Sequence, residues 1–196
     1  MIGDDDPYVY PGTKTLRNCL GITDARELDR IERRLVTDRI AEGAPSGIFD
    51  LLHFCAIHRH LFQDVYDWAG QLRTVEINKG GHQFQFRQYI QTGMGDVHRR
   101  LRAARFLRGL SPAEFAREAA VIIGDVNYVH PFREGNGRTQ AQYLQQLAAQ
   151  AGYDIDLTRI QPKSWIEASK ASFATDYSLM TDAISKAMAG AYKPEL

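Results

Sequence analysis

His130-Pro131-Phe132-Arg133-Glu134-Gly135-Asn136-Gly137-Arg138-Thr139-Gln140 is the stretch that organises the rest of the chain. It joins two helical segments. Upstream, Ser111-Pro112-Ala113-Glu114 reads as a helix start, with serine as N-cap, proline at the first position and glutamate at the third. Phe115, Ala119, Ile122, Ile123 and Val126 make that helix apolar nearly all round, which places it at the centre of the fold. It stops at His130, because Pro131 disfavours helical backbone in the residue before it. Downstream, a helix is predicted over about 137–150, closed by Gly152.

The chemistry of the stretch can be read from its residue types. Gly135-Asn136-Gly137 permits backbone conformations that turn several N–H groups into one concavity, and at a helix start such a nest binds phosphate. Arg138 adds a cation whose fork matches phosphate oxygens. Glu134 supplies a hard oxygen ligand suited to magnesium. His130 has the ordinary pKa of a general base near neutral pH. A histidine at a helix end is also a plain partner for the helix dipole, but here it stands beside a metal ligand, a phosphate cradle and a cation. Together these are the parts of a phosphoryl or nucleotidyl transfer site.

Outward from this segment, helical periodicity dominates. Asp24 and Glu27 open a helix over about 24–41, with Leu28, Ile31 and Leu35 on one face. Another is predicted over about 48–62, a third over about 88–107, and two more over about 162–173 and 176–189. Between them, Val75, Ile77, Phe84 and Phe86 flank Lys79-Gly80-Gly81-His82, a hairpin signature over about 74–86. Residues 1–23, with Pro7, Pro11, Gly12 and Gly21, read as an irregular lead-in. The expected fold is all-α with one hairpin, in a single domain over 1–196.

Lys plus Arg and Asp plus Glu both number 24, so the net charge is zero. That argues against a broad nucleic-acid or anionic-membrane surface and leaves room for a local phosphate site. Cys19 and Cys55 form no CxxC pair and are expected to be buried thiols of a reducing cytosol. The acidic N-terminus lacks the apolar segment of a signal peptide, and no apolar run approaches membrane-spanning length, so the expected location is cytoplasmic. His53, His58 and His60 match no common zinc spacing and are read as surface or core histidines. His82 is either a contact to target or nucleotide or, by the commoner pattern, an exposed turn residue. Arg99, Arg100, Arg102, Arg105 and Arg108 read first as a solvated face and second as a docking surface. Trp68 and Trp165 are read as packing residues.

His130 to Ala141 resembles the Fic-family signature HxFx[D/E]GNGRxxR, matching at His130, Phe132, Glu134, Gly135, Asn136, Gly137 and Arg138. The DPYVYPG segment, DVYDWAGQLR, the hairpin and LAAQAGYDID resemble stand-alone bacterial Fic toxins of the class I kind, so the likeness covers nearly the whole chain. The resemblance implies the Fic fold, with the signature loop at 130–141 and C-terminal helices over 153–196. It implies a protein adenylyltransferase that moves AMP from ATP, with Mg2+, onto a target hydroxyl. In that scheme His130 is the catalytic base, Glu134 the metal ligand and Phe132 the anchor of the loop. Gly135, Asn136, Gly137 and Arg138 bind the phosphates. Thr74, Val75, Glu76, Ile77, Asn78, Lys79, Gly80, Gly81 and His82 form a flap that pairs with an extended stretch of target. Gly137 also favours AMP transfer, since the related Doc branch carries lysine there and transfers phosphate.

The departure is Ala141, where the signature has an arginine that binds the γ-phosphate. Its loss is expected to weaken AMP transfer, and it keeps two alternatives in view: a Fic transferase using another nucleotide donor, and a degenerate nucleotide-binding Fic protein. The family's inhibitory motif [S/T]xxxE[G/N] is not matched at Thr23 to Glu27, because Leu28 follows. The resemblance therefore implies a separate small antitoxin carrying that helix, and type II topoisomerase subunits, of DNA gyrase or topoisomerase IV, as targets.

Overall fold

The structure is a computed structural model, and it describes residues 6–188. Seven helices run α1 (Ala25–Glu42), α2 (Leu51–Phe62), α3 (Ile90–Ala103), α4 (Pro112–Val129), α5 (Asn136–Gln150), α6 (Pro162–Ala171) and α7 (Ser178–Met188) among the described residues. A two-stranded antiparallel hairpin, β1 (Asn78–Lys79) and β2 (His82–Gln83), lies between α2 and α3. Ala189, the last residue expected in the final helix, and the flanking segments of the chain lie outside the described residues.

α4 is the central rod, as its apolar circumference requires. Phe115, Ala119, Ile123 and Val126 are fully buried, and α3, α5, α6's following turn and α7 pack on it. Its start is the expected capping box: Ser111 Oγ accepts from the Glu114 amide, and the Glu114 carboxylate accepts from the Ser111 amide at 2.9 Å. Asp24 caps α1 in the simpler way, accepting from the Glu27 amide at 2.8 Å.

Four expectations need correction. α2 begins at Leu51, because Asp50 is its N-cap and Phe49 before it has φ 61°, outside any helix. The segment expected as one helix over about 88–107 is a single 3₁₀ turn at Arg87–Tyr89 followed by α3, which ends at Ala103. Its buried stripe is Ile90, Met94, Val97 and Leu101. Phe106 and Leu107 fall off that stripe, and a left-handed turn (φ 52°, 55° and 60° at Arg105, Phe106 and Leu107) brings Leu107 into the core. The hairpin pairs over two residues per strand rather than across 74–86, for a reason given below. Cys55 is half-buried and its thiol is pushed up to about 11, chiefly by burial. Cys19, by contrast, is exposed rather than buried. No helix among the described residues is long and apolar enough to cross a membrane.

Candidate active site

His130 ends α4 in the left-handed region, φ 47° and ψ 64°. A non-glycine residue pays strain there, about 1–3 kcal/mol, so the surroundings must impose it. They do so at both ends of the residue. The ring Nδ1 lies 3.1 Å from the Asn127 carbonyl, one of the last carbonyls of α4. The His130 carbonyl accepts from Arg73 Nε at 2.8 Å. A carbonyl can only accept, so Nδ1 carries the proton and Nε2 keeps its lone pair. No hydrogen-bond partner for Nε2 occurs among the described residues. Phe84 stacks on the imidazole with ring centroids 3.7 Å apart. Burial first, then the charges of Lys79 and Arg73, hold the ring's pKa down to about 3, so it is neutral at pH 7.

The loop after His130 is built on Phe132, Asn136 and Gly135. Phe132 is fully buried and stacks between Phe54, at 5.4 Å, and His58, at 3.8 Å. The Asn136 side chain accepts from the Phe132 amide (3.0 Å) and donates to the Phe132 carbonyl (2.7 Å). It closes the loop like a rung, which leaves its backbone amide, not its side chain, for phosphate. Gly135 has φ 82°, and a Cβ there would meet the Phe62 ring at 2.4 Å, so glycine is obligatory.

Gly137 is different: it is exposed, helical, and a Cβ would meet nothing within 4 Å. Packing does not ask for glycine there, and glycine costs a helix about 0.5–1 kcal/mol. Close approach of a ligand to the backbone is the remaining physical use. The amides of Asn136, Gly137 and Arg138 are the first N–H groups of α5, whose first intrahelical acceptor, the Gly135 carbonyl, serves Thr139. Free first amides of this kind are what the expected phosphate site would require.

Two charged residues border it. Glu134 is exposed, and its Oε1 accepts from the Gly135 amide at 2.9 Å. Among the described residues no group of three or more His, Cys, Asp or Glu side chains could hold a metal. A lone carboxylate beside a phosphate cradle still fits Mg2+, which commonly takes one or two carboxylates and completes its shell with phosphate oxygens and waters. Arg138 lies over the Phe62 ring at 4.6 Å, pairs with Glu32 of α1 at 2.6 Å, and approaches Glu134 at 3.8 Å.

The segment Thr74 to His82, expected as a flap, runs between Arg73, which holds the His130 carbonyl, and Phe84, which stacks on the His130 ring. Thr74, Glu76, Asn78, Lys79, Gly80 and Gly81 are exposed; Val75, Ile77 and His82 are half-buried. His82 is neither a plain exposed turn residue nor a histidine reaching into the nest: it stacks on Phe173, centroids 4.8 Å apart. Arg73 explains both the short ladder and the flap's position. Its guanidinium, buried from solvent, donates to the carbonyls of Val75 (2.7 Å), Gln85, Val129 (3.4 Å) and His130. The Val75 carbonyl is therefore claimed by a side chain where a longer hairpin in this register would offer it to the Phe86 amide, while Gln85 faces away from the partner strand and gives its amide to the Tyr128 carbonyl.

Three participants escaped the sequence reading. His58, whose spacing marks only a core or surface histidine, donates from Nε2 to the Glu134 carbonyl at 3.0 Å and accepts at Nδ1 from the Gly70 amide at 2.8 Å. Arg73 lay unremarked within the DVYDWAGQLR segment. Glu32 did leave a signal: it stands midway between Leu28 and Val36 on α1's buried stripe, where a carboxylate is out of place.

The Fic/DOC family model matches residues 48–148. The probable protein adenylyltransferase y4lH of Sinorhizobium fredii is 42% identical over 173 residues, covering 88% of this chain and 90% of its own. The protein adenylyltransferase VbhT of Bartonella schoenbuchensis is 38% identical over 187 residues, 94% of this chain and 39% of that longer protein. Among solved structures, BepC, a VirB-translocated effector of Bartonella tribocorum with bound AMPPNP, superposes with a TM-score of 0.88 at 26% identity, covering 96% of this chain and 97% of its own.

Proposed function

The chain belongs to the Fic/DOC family, and from that premise we propose that it is a protein adenylyltransferase, transferring AMP from ATP to a hydroxyl side chain of another protein. The observation that carries the reading is the His130 imidazole: neutral, oriented by Asn127, with Nε2 left as a base at the end of α4, one short loop from the first amides of α5.

In the reaction the target's hydroxyl proton passes to His130 Nε2 as its oxygen bonds to the α-phosphorus. The bond from that phosphorus to the bridging oxygen breaks, and pyrophosphate leaves. The amides of Asn136, Gly137 and Arg138, with the Arg138 guanidinium, hold phosphate oxygens and take up the charge of the transition state. Glu134 would hold Mg2+, which when bound neutralises phosphate charge. The flap, fixed to His130 through Arg73, would seat the target by backbone pairing beside the base. The likeness to named adenylyltransferases supports this choice of reaction, as does a glycine at 137 that no packing demands.

The further proposal is a toxin held in check by a small antitoxin bearing the [S/T]xxxE[G/N] helix, with DNA gyrase or topoisomerase IV subunits as targets. The test is incubation of the protein, and of His130→Ala, with bacterial lysate and ATP labelled at either the α- or the γ-phosphate. Protein-bound label from the α-position, absent with His130→Ala, is the expected result. Label from the γ-position would make the enzyme a kinase, and label only from a different nucleotide would reassign the donor.

A further inference from the structure

Arg138 is gripped by groups from outside the signature. Its Nη2 pairs with Glu32 Oε1 at 2.6 Å, and the Glu32 side chain is only 8% exposed. The other Glu32 oxygen accepts from the Tyr66 hydroxyl, itself buried. The Phe62 ring lies under the guanidinium at 4.6 Å. Three separate pieces of the chain thus meet on one side chain: α1, the end of α2 and the turn that follows it.

A carboxylate on the core stripe of α1 is costly to desolvate, and an apolar residue of similar size is often as good or better for stability. What an apolar residue cannot do is orient a guanidinium. Arg138 otherwise has a long, rotatable side chain, and ordering it on binding forfeits rotamer freedom. The Tyr66 phenol is held far above its ordinary pKa by burial and then by the Glu32 charge, so it stays a donor and fixes the carboxylate in turn. With Nη2 engaged toward α1, the rest of the fork is left free on a side chain that keeps about a third of its surface exposed.

We infer that Glu32 is a positioning residue for the nucleotide: together with Tyr66 it presets the Arg138 guanidinium to receive phosphate oxygens. This rests on the reading of Arg138 as a phosphate contact. Glu32 acts through Arg138 and touches no substrate itself.

The test is calorimetric titration of the purified protein with Mg-ATP. Glu32→Leu is expected to raise Kd about tenfold, the effect of leaving one charged phosphate contact unordered. Glu32→Gln keeps an acceptor for Nη2 and a donor for the Tyr66 oxygen, and is expected to recover affinity to within about threefold. Tyr66→Phe, which keeps the ring, should lie between, and it decides the matter should Glu32→Leu fail to fold. The double variant Glu32→Leu/Arg138→Ala should bind no more weakly than Arg138→Ala alone, because the two act as one. Unchanged affinity, losses that add, or tighter ATP binding in both Glu32 variants would overturn the inference, the last by showing that Glu32 competes with phosphate. Wild-type protein that binds no ATP would overturn the functional reading as well; ATP binding and AMP transfer that ignore Glu32 would overturn this inference alone.

Discussion

The middle of α2 holds a fully buried histidine and the end of α4 a half-buried one, and the two differ by one lone pair. His58 donates from Nε2 to the Glu134 carbonyl and accepts at Nδ1 from the Gly70 amide, so both ring nitrogens are used. His130 donates from Nδ1 to the Asn127 carbonyl, and its Nε2 has no hydrogen-bond partner among the described residues. Burial keeps both neutral, with His58 lowered to about 4 and His130 to about 3. Chemically they are the same group, both neutral and each stacked on a phenylalanine ring. His58 is a fastener under the loop, whereas His130, with Nε2 unpaired and the ring partly exposed, is the one we propose as the base.

The sharpest way to break that contrast is to remove each ring. His130→Ala should cut AMP transfer by at least about a hundredfold while leaving the Kd for ATP and the melting temperature near wild type, measured by label transfer, titration and thermal melts. His58→Ala should do the reverse in kind. It strands the Gly70 amide and the Glu134 carbonyl and opens a cavity beside Phe132, so stability should fall by about 2–4 kcal/mol in denaturant titrations. A His58→Ala protein as stable as wild type would show that the ring is no fastener.

Acid provides a second probe, of intermediate size. In the unfolded chain both imidazoles take up a proton near the ordinary value of 6.5; in the folded protein they do so only near 4 and 3. The unfolded state therefore binds more protons between those limits, and stability present above pH 6.5 is lost as pH falls toward 4 and below. Thermal melts from pH 7 to 4 should show this decline, and His58→Gln should flatten part of it. Over the same range the transfer rate should not follow a base of pKa 6.5.

Smaller effects are expected on α5. Gly137→Ala should stabilise the helix by about 0.5–1 kcal/mol yet weaken ATP binding, a split that a purely structural glycine would not give. Ala141→Arg, which restores the missing signature cation, should raise transfer several-fold in the label assay; no gain would remove this position from any explanation of activity.

How much of this the sequence disclosed depends on where the partners lie along the chain. α4 and α1 were legible because their caps and stripes are local: Ser111 with Glu114, Asp24 with Glu27. His130, Glu134 and the glycines were legible because the loop carries its chemistry in one uninterrupted run. The turn at Arg105 to Leu107 was not, since three non-glycine residues in left-handed conformation leave no compositional mark. The hairpin ladder is shorter than the strand periodicity suggests because the Val75 carbonyl goes to Arg73, a tertiary competitor invisible to that periodicity. His58, 76 residues from the Glu134 carbonyl it holds, and Glu32 become part of the site only through packing.

Everything proposed for catalysis depends on an accessible, unprotonated nitrogen at His130. Nitrogen-15 NMR of histidine-labelled protein at pH 7, with His130→Gln to assign the resonance, reports it directly. The expected spectrum shows Nδ1 bearing the proton and Nε2 as the bare, pyridine-like nitrogen. A proton on Nε2, whether as the other tautomer or as imidazolium, would contradict the assignment of His130 as the base.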